Sequence, residues 1–197
     1  MSETQHKLRP KSKAAEARLE ILAIAAGMMR QVGYSDMSLR DLAAEVGMKA
    51  GSLYYHFPSK DALAVEVMKV GVEVVQNAVR SELTEYSDAD AQTRLIVAMR
   101  THLETLLSES DFSSAHIRCY PFVPETVRAE LAEVRRAYDR DWNELIGAFL
   151  DVPPEDIRVR HLRHALLGAL NWSLEWFDPK RDSVIDYIAS LERLITK

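Results

Sequence analysis

The chain has 197 residues with seven glycines and seven prolines, too few turn residues for an all-β fold, which needs a turn every ~8–12 residues. No apolar run reaches the ~18 residues of a membrane helix and no basic start leads into an apolar stretch, so we expect a cytoplasmic protein without a membrane partner. The net charge of −5 is uneven, because residues 1–60 carry nine Lys or Arg against six acids and the remainder 16 against 24, a pattern typical of a chain that binds a polyanion at one end.

The chain begins with a basic segment at residues 1–13, which we predict to be a disordered arm. It is either a solvated tail without a partner or a contact to the DNA minor groove or backbone. Apolar spacing then predicts a first helix over residues 14–32, with Gly33 as its stop. This helix opens a predicted domain at residues 14–62.

Two short helices complete that domain. Ser38 with Asp41 three residues later forms a capping box, which predicts a second helix that ends at Gly47. A third helix is predicted over residues 49–57, before Pro58, which cannot continue it. Short helices with a glycine turn between the second and the third are typical of a helix-turn-helix unit.

Residues 63–197 are predicted to form a second helical domain. Ser59 can cap a fourth helix that continues to Glu82 and connects the two domains. Five further helices are predicted over residues 91–109, 112–119, 124–150, 154–177 and 183–195. The predicted fold class is therefore all-α.

Residues 46–63, VGMKAGSLYYHFPSKDAL, resemble the recognition segment of the TetR family of transcriptional regulators, and Gly33-Tyr34 and residues 38–47 match the rest of that family's DNA-binding domain. The resemblance covers residues 18–68. Met48 departs from it, because the family usually has Ser or Thr there, so we expect a weaker cap on the third helix. The resemblance implies a ligand-responsive repressor, with an N-terminal helix-turn-helix domain plus a C-terminal helical ligand-binding and dimerisation domain. Its implied partners are a palindromic double-stranded operator, a second copy of the chain and a small-molecule effector.

The third helix is the predicted reader of DNA. In a helix-turn-helix unit this helix enters the major groove, and its first turn reaches the base edges. Lys49 can donate to guanine, Gly51 permits close backbone approach, and Ser52 can donate or accept. The predicted base contacts are Lys49, Gly51, Ser52 and Tyr55. The predicted phosphate contacts, some by resemblance, are Ser38, Arg40, Tyr54, His56 and Lys60, although Tyr54 and His56 could instead fill the core.

Aromatic and apolar residues recur on the middle helices and predict a ligand pocket, although each could equally be ordinary core. The predicted lining comprises Leu103, Leu107, Phe112, Tyr120, Phe122, Trp142, Ile146 and Trp172, with Arg118 and Asn171 as polar groups. Leu106, Ile117, Tyr138 and the polar His102 belong to the same pattern. The stretch from Gly168 to Pro179 resembles family members that respond to acyl-CoA thioesters, which favours an acyl chain with an anionic head.

The last two helices carry the predicted dimer interface. One face of residues 154–177 holds Leu162, Leu166, Ala169 and Ser173. The last helix has a matching face of Ile185, Ile188, Ala189, Leu194 and Ile195. By resemblance, two such helices from each subunit form a four-helix interface; the alternative is the core of a monomer.

A metal-binding protein, an enzyme and a constitutive DNA-binding protein are the alternative functions. The pairs His116/Cys119 and His161/His164 could ligate a metal if they converged, but the second pair lies in a basic, exposed segment. No phosphate loop, nucleophile elbow or closed metal motif predicts an enzyme, and no cofactor is expected. A constitutive DNA-binding protein without a ligand remains the alternative to a sensor.

Overall fold

The computed structural model describes residues 13–108 and 111–196, and the regular structure within these ranges is entirely helical. The helices are α1 (Lys13–Asp36), α2 (Leu39–Glu45), α3 (Ala50–His56), α4 (Lys60–Glu85), α5 (Ala91–Leu107), α6 (Asp111–Cys119), α7 (Glu125–Leu150), α8 (Ile157–Trp176) and α9 (Val184–Ile195). A short 3₁₀ turn, Tyr120–Phe122, joins α6 to α7. The predicted all-α fold class is confirmed. The arm at residues 1–12 lies outside the described residues.

Local capping residues set the ends of the N-terminal helices. The Ser38 hydroxyl accepts a hydrogen bond from the backbone N–H of Asp41 at 3.1 Å, and Ser59 accepts one from Ala62 at 3.0 Å, so α2 and α4 begin where the caps place them. Gly33 breaks α1 with a φ of 79°, and Gly47 ends the α2 turn with a φ of 71°. The N-cap of α3 is Lys49, whose side chain makes no capping hydrogen bond.

Two apolar clusters form the core. The first joins α1, α2 and α3 to the start of α4, to α6 and to the beginning of α7. The second joins the rest of α4 to α5, α7, α8 and α9. Because α4 contributes to both clusters, the helix-turn-helix unit is continuous with the C-terminal helices through packed side chains. In the described part of the chain, every helix is too short or too polar to span a bilayer.

Candidate DNA interface and ligand cavity

The helix α3 is held to the core by two side chains and exposes the rest. Leu53 and Phe57 are fully buried. Lys49, Gly51 and Ser52 are exposed, and Tyr54 and Tyr55 are 53% and 87% exposed, so the core alternative for Tyr54 does not apply. Two large aromatic rings on a solvent-facing helix indicate an external binding partner.

Arg18 fastens the C-terminal end of α3, a role that sequence reasoning missed. Its guanidinium lies 4.2 Å from the centre of the Phe57 ring and donates to the carbonyl of His56 at 2.6 Å. It also forms an ion pair with Glu66 on α4. One side chain thus joins α1, α3 and α4. No pattern in the sequence indicates it, because the partners lie 38 and 48 residues away.

Two of the predicted phosphate contacts already have partners within the chain. Lys60 Nζ donates to the carbonyl of Ser35 at 2.8 Å and lies 4.5 Å from the centre of the Tyr34 ring. Ser38 is the cap of α2, and its hydroxyl donates to the Asp41 carboxylate at 2.6 Å. Arg40 is exposed and His56 half-buried. The phosphate roles of these residues stay predictions.

The cavity of the C-terminal part lies among α4, α5, α6, α7 and α8. It is half open to solvent and has a free volume of about 80 Å³. The apolar lining is Val72, Val75, Ile117 and Leu167. The polar lining is His102, Ser113, His116, Arg135, Tyr138, Asp139 and Asn171, with Gly71 at the α4 wall.

Of the ten residues in the predicted lining, the structure places Asn171 at this cavity and the others elsewhere. Leu103, Trp142 and Ile146 are completely buried in the second cluster, and Leu107 packs against it. Phe112 and Tyr120 pack against the first cluster. Phe122 and Trp172 are on the surface, 71% and 66% exposed. Arg118 pairs with Glu175 at 3.1 Å and donates to the Leu174 carbonyl. Apolar periodicity identifies inward faces, but it does not separate a packed core from a cavity wall.

A hydrogen-bonded chain crosses one wall of the cavity. The ring of His102 lies between the Tyr138 hydroxyl, 2.9 Å from Nδ1, and the Asn171 Oδ1, 3.0 Å from Nε2. Burial lowers the pKa of His102 to about 4, so the imidazole is neutral at pH 7. With the Asn171 oxygen facing Nε2, the ring donates there and accepts the Tyr138 proton at Nδ1.

His116 and Arg135 form a second polar pair on the cavity wall. Arg135 Nη1 lies 2.7 Å from His116 Nε2, and the guanidinium lies 3.8 Å from the centre of the Tyr120 ring. Burial and the nearby Arg135 charge lower the pKa of His116 to about 3. Arginine can only donate, so His116 Nε2 accepts and the ring proton is on Nδ1. That Nδ1 is buried and has no hydrogen-bond partner among the described residues.

The proposed metal pairs do not converge. The Cys119 thiol donates to the Met29 carbonyl at 3.3 Å in the first cluster, whereas His116 faces Arg135. His161 and His164 are exposed on α8. Within residues 13–108 and 111–196 no three metal-ligating side chains come together.

The helix α6 contacts both the cavity and the DNA-binding unit. It packs on α4 so closely at Gly71 that a Cβ there would lie 2.3 Å from the Phe112 carbonyl oxygen. Ser113 donates to the Gly71 carbonyl at 3.1 Å. Toward α1, Asp111 pairs with Arg30 at 2.8 Å. A movement of α6 would therefore reach α1 directly.

The predicted dimer stripe on α8 is wrong in its orientation. Leu166 and Ser173 are buried within the second cluster, as is Ile188 of α9, because these residues pack the core of the protomer itself. The outer face of α8 instead carries the exposed residues His161, Ala165, Gly168 and Trp172. Ile185 and Leu194 of α9 are also exposed, as predicted for part of that face.

Comparison with known proteins places both halves of the chain in one family. A model described as bacterial regulatory proteins of the tetR family matches residues 21–67. A second model, the tetracyclin repressor-like C-terminal domain, matches residues 88–190, just over half of the chain.

Individual relatives agree with this match. The transcriptional repressor KstR2 of Rhodococcus jostii RHA1 is 25% identical over 182 residues, which cover 87% of this chain and 85% of that protein. The structure of AibR with isovaleryl coenzyme A and operator DNA has a TM-score of 0.76 at 21% identity, covering 90% of this chain and 97% of AibR. The superantigen PfiT has a TM-score of 0.75 at 25% identity, covering 94% and 99%.

Proposed function

The chain belongs to the TetR family of bacterial transcriptional regulators, and on that premise we propose that it binds a palindromic operator as a homodimer and leaves it when a small molecule enters the cavity. The observation that carries the proposal is the exposed surface of α3, where Lys49, Gly51 and Ser52 lie at its start and Tyr54 and Tyr55 lie in its second turn with no core to fill. In a helix-turn-helix unit the first turn of this helix is the part that reaches base edges.

Dimerisation is supported by the outer face of α8 and α9. Trp172, Ile185 and Leu194 are large apolar side chains that are mostly exposed in the protomer. Gly168 and Ala165 lie one and two turns before Trp172 and allow close approach of a second helix. A two-fold dimer presents two copies of α3, so the half-sites should lie about one helical turn of DNA apart or a small multiple of it.

Release by a ligand is supported by the double contact of α6. The cavity walls include Gly71 of α4 and Ser113 of α6, which are already in close contact. A molecule that fills the cavity would push α6 from α4 and, through the Arg30–Asp111 pair, change the position of α1. Coupling between two such sites is typically about 1–3 kcal/mol.

An acyl-CoA-like or other apolar effector stays part of this proposal. Its support is the structure of AibR in complex with isovaleryl coenzyme A, together with the resemblance between Gly168 and Pro179. KstR2 of Mycobacterium tuberculosis, described as a ketosteroid transcriptional regulator, has a TM-score of 0.73.

Selection of bound sequences from a random DNA library, followed by footprinting, tests the proposal. We expect a palindromic site, and Lys49→Ala should relax the preference at one base position by about 1–3 kcal/mol. Lys180→Ala, an exposed lysine remote from α3 in the sequence, is the matched control and should bind as the parent does. Binding without sequence preference would contradict a role as an operator-specific regulator. Specific binding that no ligand alters would favour a constitutive DNA-binding protein.

A further inference from the structure

The cavity has a positive charge and a hydrogen-bond donor that the described residues leave without an acceptor. Arg135 has no acidic side chain within ion-pair distance among the described residues; its Nη1 hydrogen bond goes to His116. Asp139, the cavity carboxylate, is instead near Arg163 at 3.6 Å. The Asp139 charge is thus offset by another arginine.

His116 adds a second donor, on the side of its ring that faces away from Arg135. The residue is 6% exposed, and its Nδ1 has no protein partner. Because Arg135 can only donate to Nε2, the imidazole carries its hydrogen on Nδ1 and can offer it only to an acceptor. A buried donor without an acceptor costs about 1–3 kcal/mol, so a ligand atom that accepts from it would recover that free energy.

The rest of the cavity wall is apolar where the ligand body would lie. Val72 and Val75 of α4, Ile117 of α6 and Leu167 of α8 provide that surface. The combination of an uncompensated guanidinium, a free imidazole N–H and an aliphatic wall matches a molecule with an anionic oxygen head and an apolar body.

We propose that the cavity binds a free aliphatic carboxylate, whose oxygens accept from the Arg135 N–H groups that His116 does not use. This rests on the proposed function of the cavity as an effector site and names the chemical class of its ligand. Asn171, whose Oδ1 is taken by His102, has its amide N–H groups left to line the same cavity.

The test uses the full-length protein and a series of straight-chain acids from butanoate to decanoate, each with its methyl ester. Calorimetry should give a measurable affinity for at least one acid, with the matching ester bound about tenfold more weakly or worse, since an ester accepts hydrogen bonds but carries no charge. Equal affinity for acid and ester, or no binding by any acid, would overturn the proposal.

Variants locate the binding. Arg135→Gln should lower the affinity for the best acid about tenfold and leave the ester unchanged, whereas Arg136→Gln, the exposed neighbour on α7, should change neither. Because Arg135 also stacks on Tyr120, a melting curve establishes that the variant is folded. If it is not, spectra of the parent protein labelled with ¹⁵N-histidine replace it. The signals of the His116 ring should shift on adding the acid but not the ester, because its Nε2 shares the Arg135 guanidinium with the bound carboxylate, and unshifted signals contradict the proposal.

Operator binding separates this inference from the proposed function. If another molecule releases the operator while no carboxylate binds, the proposed regulatory function is supported and the carboxylate site is contradicted. If octanoate or another acid binds through Arg135 but leaves operator affinity unchanged, the carboxylate site is supported and release of the operator by this ligand is contradicted.

Discussion

At the scale of single residues, two buried histidines combine a structural role with a free-energy cost at low pH. His102 and His116 are both buried, and burial lowers their pKa values to about 4 and about 3. In the unfolded chain a histidine has a pKa near ~6.5. Both rings are therefore neutral in the folded protein and bind protons only when the chain unfolds.

The sign of the pH dependence follows from these shifts. Below pH ~6.5 the unfolded chain binds more protons than the folded protein does. The free energy of unfolding is therefore highest above pH ~6.5 and decreases as the pH falls toward the two pKa values of the folded protein. We expect the free energy of unfolding to drop by about 2 kcal/mol per histidine between pH 7 and pH 5. Urea unfolding at fixed protein concentration measures this drop.

Matched histidine variants assign the effect. His116→Gln should remove about half of the pH-dependent loss, because one proton-binding group disappears from the unfolded state. His164→Gln, an exposed histidine on α8, should leave the slope unaltered. An unchanged slope in His116→Gln would mean that this ring is not neutral and buried as described.

At the scale of helices, α4 and α6 are in close backbone contact at Gly71. Gly71→Ala would place a Cβ 2.3 Å from the Phe112 carbonyl, a backbone atom that can move only with α6 itself. We expect a loss of about 1–3 kcal/mol in the free energy of unfolding and an altered operator affinity. Gly51→Ala is the control, since its Cβ meets open space and should raise helix stability by up to about 1 kcal/mol. Thermal unfolding of the two variants compares them, and a Gly71→Ala protein as stable as the parent would contradict this packing.

The helices themselves were predictable because their boundaries depend on local chemistry. Ser38, Gly47 and Ser59 act on backbone groups within a few residues, so capping and turn residues place the starts of α2, α3 and α4 to within one or two positions, whereas α4 ends at Glu85, three residues beyond its predicted end. The packing partner of each helix was not predictable. Nothing near α6 indicates that Asp111 meets Arg30, or that Arg135 meets His116, because these contacts join residues distant in sequence.

The sequence does not show which side of a helix packs against the rest of the chain. For this reason several predicted pocket and dimer residues lie elsewhere in the structure. Residues 165–170, just before Trp172, are apolar on all sides, so periodicity could not assign one side of this helix to the cavity and another to the outside. In the structure Asn171 lines the cavity, whereas Trp172, the next residue of α8, is exposed to solvent. One position on a helix turns a side chain by about 100°.

At the scale of the whole molecule, regulation requires two copies of α3 at a fixed separation, and the outer face of α8 and α9 is the surface that would set it. Trp172 is 66% exposed in the protomer, so its replacement should leave the protomer core intact. Trp172→Glu puts a charge in the centre of the proposed interface, where it would be buried without a partner. Leaving a charge unpaired in an interface costs several kcal/mol.

We therefore expect Trp172→Glu to sediment as a folded monomer at micromolar concentration, with helical content like that of the parent. Its operator affinity should fall steeply, because each protomer then offers one α3 to one half-site and loses the advantage of joint binding. Phe122→Glu is the matched control: that ring is 71% exposed but lies between α6 and α7, away from the α8 and α9 face, so the dimer and operator affinity should persist. A Trp172→Glu protein that still sediments as a dimer would show that the interface lies elsewhere. A monomer that binds the operator as tightly as the parent would show that operator binding does not require dimerisation.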